Sequence, residues 1–170
     1  LVAHFGVKTM KQEGANYQPI IAIFATTFLM ALAMSWAMAG SIAIGLTIKM
    51  FIAISMCVLA IQKLRDLYAF SNQFITYDLL AMKWVRYAYV YPFIEMLAGV
   101  CMIAGMLINI AAPAALFIGT IGAISVIKAV YIDKRDLKCA CVGGDSSVPL
   151  GFISLTENLM MIVMAIWMMF

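Results

Sequence analysis

The chain has 170 residues, of which 66% are hydrophobic and 11% charged, with a formal net charge of +3. That composition is too apolar for a water-soluble domain of this length and marks an integral membrane protein. The small positive excess calls for no nucleic-acid partner, and the chain carries no nucleotide-binding loop, haem-attachment sequence or nucleophile with a paired base; its lone histidine, His4, reads as a surface residue rather than a ligand.

Residues 1–19 read as a cytoplasmic N-terminal segment and residues 20–170 as a single transmembrane domain. The chain opens on Leu1 rather than methionine, which leaves room for residues upstream. Crossing about 30 Å of hydrocarbon takes about 20 helical residues, and the first such stretch is 20–38, with Met30, Met34 and Met38 along one face. Its length, and the lack of a small-residue cleavage site ahead of a soluble domain, read as a retained span rather than a cleaved signal. The second span, 44–62, contains Lys49, whose stem can carry its charge to the nearer interface. Between Lys63 and Arg86, Leu64, Leu67, Tyr68, Phe74 and Ile75 recur at roughly helical spacing among polar residues. This predicts an amphipathic helix in the headgroup zone, followed by an interfacial aromatic belt of Trp84, Tyr87, Tyr89 and Tyr91. The third span is 89–108, a turn follows at 109–113, the fourth span is 113–131, and the fifth is 150–170, with Met160, Met164 and Met168 on one face. The fold class is therefore all-α: a polytopic bundle of five transmembrane helices in the lipid bilayer, with one interfacial amphipathic helix.

Five crossings put ten of the eleven lysines and arginines on one side: Lys8, Lys11, Lys63, Arg65, Lys83, Arg86, Lys128, Lys134, Arg135 and Lys138. Basic loops are retained in the cytoplasm, so the N-terminus is expected inside and the C-terminus in the periplasm, as for a bacterial inner-membrane protein. Adding or dropping a helix mid-chain would divide those charges between the faces.

The same count places the only close cysteine pair, Cys139 and Cys141, in the cytoplasmic loop 133–149 together with Gly143, Gly144 and Asp145. Two thiols one residue apart can bind a soft metal such as copper(I), take part in thiol–disulfide exchange, or be inert. Reducing cytosol argues against a permanent disulfide. Cys57 and Cys101 lie among apolar residues inside spans and read as packing. The methionine stripes read as flexible filler, with a thioether copper route as the alternative. Small residues such as Ala98, Gly99, Gly105, Gly119 and Ala123 are expected at helix contacts.

Glu95 in the third span and Glu157 in the fifth are the intramembrane carboxylates, expected at matching depth, roughly 10 Å from the cytoplasmic ends of their helices. Lys128 approaches that layer from the fourth span as a candidate partner, and Ser154, Thr156 and Asn158 add hydrogen-bonding groups. The set reads either as a polar knot that locks the bundle or as a protonatable or cation-binding site beneath the cysteine loop.

Tyr77-Asp78-Leu79-Leu80-Ala81, Tyr91-Pro92-Phe93-Ile94-Glu95, Lys138-Cys139-Ala140-Cys141-Val142-Gly143 and Leu155-Thr156-Glu157-Asn158-Leu159-Met160-Met161 together resemble the MauE/DoxX-like redox-associated membrane proteins, most closely the branch associated with heavy-metal-associated domains. The resemblance covers about 44–170 and implies a four-helix core, here preceded by one extra N-terminal helix. It also implies a maturation role in methylamine utilisation, with Cys139 and Cys141 carrying thiol redox chemistry or a soft metal, and Glu95 and Glu157 in support. A heavy-metal-associated or thioredoxin-like protein is the implied partner. The competing expectation is a non-catalytic accessory subunit of a larger membrane complex.

Overall fold

A computed structural model describes residues 17–137 and 149–169. Among them six helices follow in order: α1 (Gln18–Ala39), α2 (Ile44–Arg65), α3 (Leu67–Phe74), α4 (Val85–Ala104), α5 (Ile108–Val126) and α6 (Leu150–Met169). All but α3 are long and apolar enough to cross a membrane; α5 does so together with the π-helical turn Ile127–Ile132 that prolongs it. The predicted five-span, all-α architecture is the one observed.

The helix ends follow local chemistry. Pro19 stands in the first turn of α1, where a missing N–H costs nothing. Gly40 closes α1 at φ +66°, its N–H bonded to the Trp36 carbonyl, which is the left-handed cap that glycine permits. Asp66 ends α2 and caps α3, its carboxylate accepting from the Ala69 N–H at 2.9 Å. The predicted hairpin turn at 109–113 lies instead at Gly105–Leu107, so α4 runs four residues ahead of the predicted third span and α5 starts five before the predicted fourth. Gly105 at φ +66° ends α4, whereas Pro113, read from sequence as the start of a helix, sits inside α5 near its N-terminus.

The spans alternate in direction, with α1 against α2, α2 against α4, α4 against α5, and α5 against α6. The starts of α1, α4 and α6 and the ends of α2 and α5 therefore share one end of the bundle, which also carries α3. Small residues set the closest approaches. A Cβ on Gly99 would lie 2.7 Å from Cys57 Sγ and 3.0 Å from the Ala53 carbonyl oxygen, so α2 and α4 pack backbone to backbone there. Gly119 does the same for α5 and α6, 3.2 Å from the Asn158 carbonyl. Of the predicted contact residues, Gly105 is the exception, being a helix cap with open space around it. On the other side of α2, the buried Ser55 hydroxyl donates to Thr27 Oγ1 at 3.0 Å and ties α2 to α1.

The methionine stripes part company. Met30, Met34 and Met38 point outward from α1 toward lipid, while Met164 is buried in the core beside Met161.

Candidate functional site

The centre of the site is Lys63, one turn from the end of α2. Side chains on a helix lean toward its N-terminus, so a lysine at this position is directed back into the bundle rather than out to the headgroups. Its face is already the buried one: Met56, Leu59 and Ala60 precede it at helical spacing, and Lys63 is itself only 2% exposed. Inside, its ammonium bonds Glu95 Oε2 of α4 at 2.6 Å and Glu157 Oε1 of α6. α4 and α6 run opposite to α2, so their glutamates lean toward the same end and converge on it.

Matching depth arises differently from the sequence estimate. Glu157 is seven residues beyond Leu150, but α4 starts early, placing Glu95 ten residues beyond Val85; the shared ammonium brings the two level. Lys128, the predicted partner, is exposed on the π-helical turn and takes no part. Asn158 faces the opposite neighbour. Its Nδ2 donates to the Ser154 carbonyl at 2.7 Å, and its side chain fills the space left by the absent Cβ of Gly122 on α5.

Aromatic rings close the α3 end of the ion cluster. Lys63 Nζ lies 5.3 Å from the centre of the Tyr91 ring and 6.0 Å from that of Phe70, within cation–π range. Phe74 packs on Tyr91 at 4.8 Å and on Phe70 at 5.0 Å between centroids, with Tyr77 and Tyr87 around it. The helix expected within 63–86 is the eight-residue α3, at the end of the bundle beyond the spans, with Phe70 and Phe74 packed on the bundle and Tyr68 facing out. The aromatic belt divides: Trp84 is exposed, whereas Tyr87 and Tyr91 are buried.

Beyond α3 the chain turns around Asp78, which is fully buried although it precedes α4. Asp78 Oδ1 accepts the N–H groups of Ala81 at 2.8 Å and Leu80 at 3.0 Å, and the Ser125 hydroxyl oxygen accepts the Leu79 N–H at 3.0 Å. Burial pushes the Asp78 carboxyl above its ordinary range, only partly opposed by the hydrogen bonds from Ala81, Ser125 and Leu80.

Cys139 and Cys141, with Lys138, Gly143, Gly144 and Asp145, lie outside the described residues, as do His4, Lys8 and Lys11. The flanks of that stretch are described. Leu150 N–H donates to the Leu137 carbonyl at 2.8 Å, and Arg135 Nη1 donates to the Thr76 carbonyl at 2.7 Å, holding both flanks at the α3 end of the bundle. Cys57 and Cys101 are half-buried free thiols; Cys57 Sγ is 3.9 Å from the Met96 carbonyl oxygen. Among the described residues no three His, Cys, Asp or Glu side chains gather as metal ligands.

Residues 41–170 match the model of the methylamine utilisation protein MauE family, a span that begins just ahead of α2 and takes in every residue of the ion cluster and its aromatic cover. The chain belongs to the MauE family. No curated protein and no solved structure matches it. The MauE region leaves α1 outside, in keeping with an added N-terminal span on a four-span core. Sequence reading singled out Glu95, Glu157 and Asn158 but missed Lys63, Tyr87 and Asp78. The available signal for Lys63 was its register: it continues the apolar stripe of α2, which a lysine serving only as a retention charge has no reason to do.

Proposed function

We propose that this MauE-family protein carries out thiol–disulfide exchange at the membrane through Cys139 and Cys141, in a maturation step connected with methylamine utilisation. The observation that supports it is the placement of the buried Lys63–Glu95–Glu157 cluster at the bundle end to which both flanks of the cysteine segment are fixed. Cys139 is two residue steps along the chain from Leu137, a reach of about 7 Å at most. In the exchange, one thiolate of the pair attacks a disulfide of a thioredoxin-like partner, expelling one partner thiolate and forming a mixed disulfide. The second thiolate resolves it. The pair ends oxidised, both partner sulfurs end reduced, and the two thiol protons pass to the partner or to solvent. Soft-metal delivery to a heavy-metal-associated partner would use the same two sulfurs as copper(I) ligands. The basic residues at the α3 end, Arg65, Lys83, Arg86, Lys128, Lys134 and Arg135, support the reading that this end faces the cytoplasm of a bacterial inner membrane and the C-terminus the periplasm.

The test is trapping. A Cys141→Ser or Cys139→Ser chain is expected to accumulate a mixed disulfide with a partner, and a membrane-impermeant thiol reagent is expected to label the pair in inverted vesicles only. Absence of any mixed disulfide in either single variant, together with no copper(I) bound by the purified chain, would overturn the thiol reading. The second reading, an accessory subunit of a larger membrane complex, is favoured by the exposed large apolar side chains of α1, among them Phe28, Met30, Met34, Trp36 and Met38. It predicts co-purification with that complex, unchanged in the Cys139→Ser/Cys141→Ser chain.

A further inference from the structure

The end of the bundle opposite α3 holds one described basic side chain, Lys49, five residues beyond the start of α2. Every other described lysine and arginine belongs to the α3 end, as do Asp66, Asp78, Asp133 and Asp136. Glu95 and Glu157 turn toward Lys63, fourteen residues from Lys49 along α2 and so about 21 Å away by helical rise. Among the described residues the Lys49 ammonium makes no hydrogen bond or ion pair, although the residue is half-buried. Partial burial of an ammonium without a counter-charge is costly, so a lysine held here draws an anion from outside the chain. Side chains lean toward the start of their helix. The rule that sends Lys63 into the bundle therefore sends Lys49 outward, to the headgroup level.

A pocket of about 210 Å³ surrounds it, lined by Lys49 of α2, Ile108 at the start of α5, and Met164, Trp167 and Met168 toward the end of α6. A water molecule takes up about 30 Å³ in the liquid, so a polyatomic anion fits beside the ammonium. Trp167 is about half exposed, and a Cβ on Gly45, one turn before Lys49, would lie 3.7 Å from its Cζ2, so the indole rests against α2. Its Nε1–H makes no hydrogen bond among the described residues and is a donor of the kind that interfacial tryptophans offer to headgroups. At the start of α5 the Ile110 and Ala111 N–H groups both bond the Leu107 carbonyl at 2.9 Å, and Leu107 has no capping side chain. That leaves the N–H groups of Ile108 and Asn109 for acceptors outside the helix.

We propose that this pocket is a phosphate site for a phospholipid of the leaflet at that end. Lys49 pairs with the phosphate as a compact point charge, and the Trp167 indole and the first turn of α5 supply neutral donors. Ile108, Met164 and Met168 give apolar walls to the glycerol end of the acyl chains. At headgroup depth lipid phosphates are the anions present at highest density. A headgroup with no cation of its own leaves Lys49 as the counter-charge of its phosphate, so phosphatidylglycerol is bound in preference to phosphatidylcholine. The site is independent of Cys139 and Cys141.

Trp167 reports on the pocket directly. The chain has three tryptophans, and Trp36→Phe/Trp84→Phe, at two exposed positions, leaves Trp167 as the single fluorophore of its kind. The full chain in this background is placed in phosphatidylcholine nanodiscs with rising fractions of phosphatidylglycerol brominated on its acyl chains, brominated phosphatidylcholine serving as the reference. Quenching by phosphatidylglycerol is expected to saturate as one site, with a preference above the roughly fivefold that a lysine at any anionic membrane surface gives. Lys49→Gln should bring it down to the reference curve and Lys49→Arg should retain it. Lys128→Gln, which removes the same charge from the other end, should leave it unchanged. A preference at or below that of a bare surface lysine, one that survives in Lys49→Gln, or an equal loss in Lys128→Gln would overturn the site. Release of the lipid by inorganic phosphate, but not by sodium chloride of equal ionic strength, would also overturn it by assigning the pocket to a soluble phosphate. The Cys139→Ser/Cys141→Ser chain should bind the lipid as the parent does, so failure of the thiol reading and failure of this one give different results.

Discussion

Replacing Lys63 with methionine preserves the apolar stem but removes the ammonium that Glu95 and Glu157 share. All three side chains are 0–3% exposed, so solvent does little to screen the loss. Removing one partner of a buried ion set typically costs about 3–5 kcal/mol, or roughly two to three and a half powers of ten in the unfolding equilibrium. The cost falls either on uncompensated charge or on the protons bound to remove it. Lys63→Met is therefore expected to be the most destabilising single lysine replacement in the described chain, while Lys128→Met, on an exposed residue, should change stability by no more than about 0.5 kcal/mol. The decisive comparison is Lys63→Met/Glu95→Gln/Glu157→Gln. With the whole charged set neutralised, most of the lost stability should return, since buried ion sets exchanged as a unit for neutral groups are often near neutral in energy. Unfolding by increasing denaturing detergent in mixed micelles, followed by circular dichroism, supplies the values. A Lys63→Met chain as stable as Lys128→Met, or a triple variant no better than Lys63→Met, would refute the reasoning.

Three further outcomes follow from local geometry. Gly122→Ala would drive its new methyl into the Asn158 side chain; a loss of about 1–3 kcal/mol is expected, and Asn158→Ala should relieve it, which a double-mutant cycle reads directly. Gly105→Ala meets nothing within 4 Å but keeps φ at +66°, so its cost should be purely conformational, about 1 kcal/mol, and no second substitution should rescue it. Asp78 has a raised folded-state value because of burial, so the folded chain binds its proton more tightly than the unfolded one. The stability this contributes is full below the ordinary carboxylate range and is lost as pH rises through the raised value. Asp78→Asn keeps an oxygen for the Leu80 and Ala81 N–H groups and removes the titration. The fall in wild-type stability with rising pH across that window should flatten in this variant, and parallel curves would count against it.

The parts of this molecule legible in the sequence are those that depend on hydrocarbon thickness and on single residues. Five apolar stretches and the intramembrane glutamates needed only length and the rarity of charge in lipid. The hairpin between α4 and α5 was misplaced because proline is the louder signal, yet the helix stops where Gly105 takes the left-handed conformation. Pro113 lies close enough to the start of α5 for few backbone bonds to be disturbed. Position along the chain cannot distinguish a belt from a cluster: Trp84 is the extended residue ahead of α4 and stays exposed, whereas Tyr91, two turns on, is buried beneath Phe74.

The choice between Lys63 and Lys128 shows why counting charges at helix ends does not reveal their work. Both stand near the same end of the bundle and near the C-terminal ends of their helices, so the positive-inside count treats them alike. Two things separate them. Lys63 follows Met56, Leu59 and Ala60 on the face that α2 turns toward α4 and α6, whereas Lys128 continues the exposed stripe Phe117, Thr120 and Ile124 of α5 and so stays outside. The face each lysine continues, read back along its own helix, distinguishes them where a count of charges at helix ends does not. The buried charge consequently comes from the helix whose inward stripe contains it, while the π-helical turn that prolongs α5 ends with the Asp133 N–H bonded to the Lys128 carbonyl, five residues back, where the chain leaves toward Cys139.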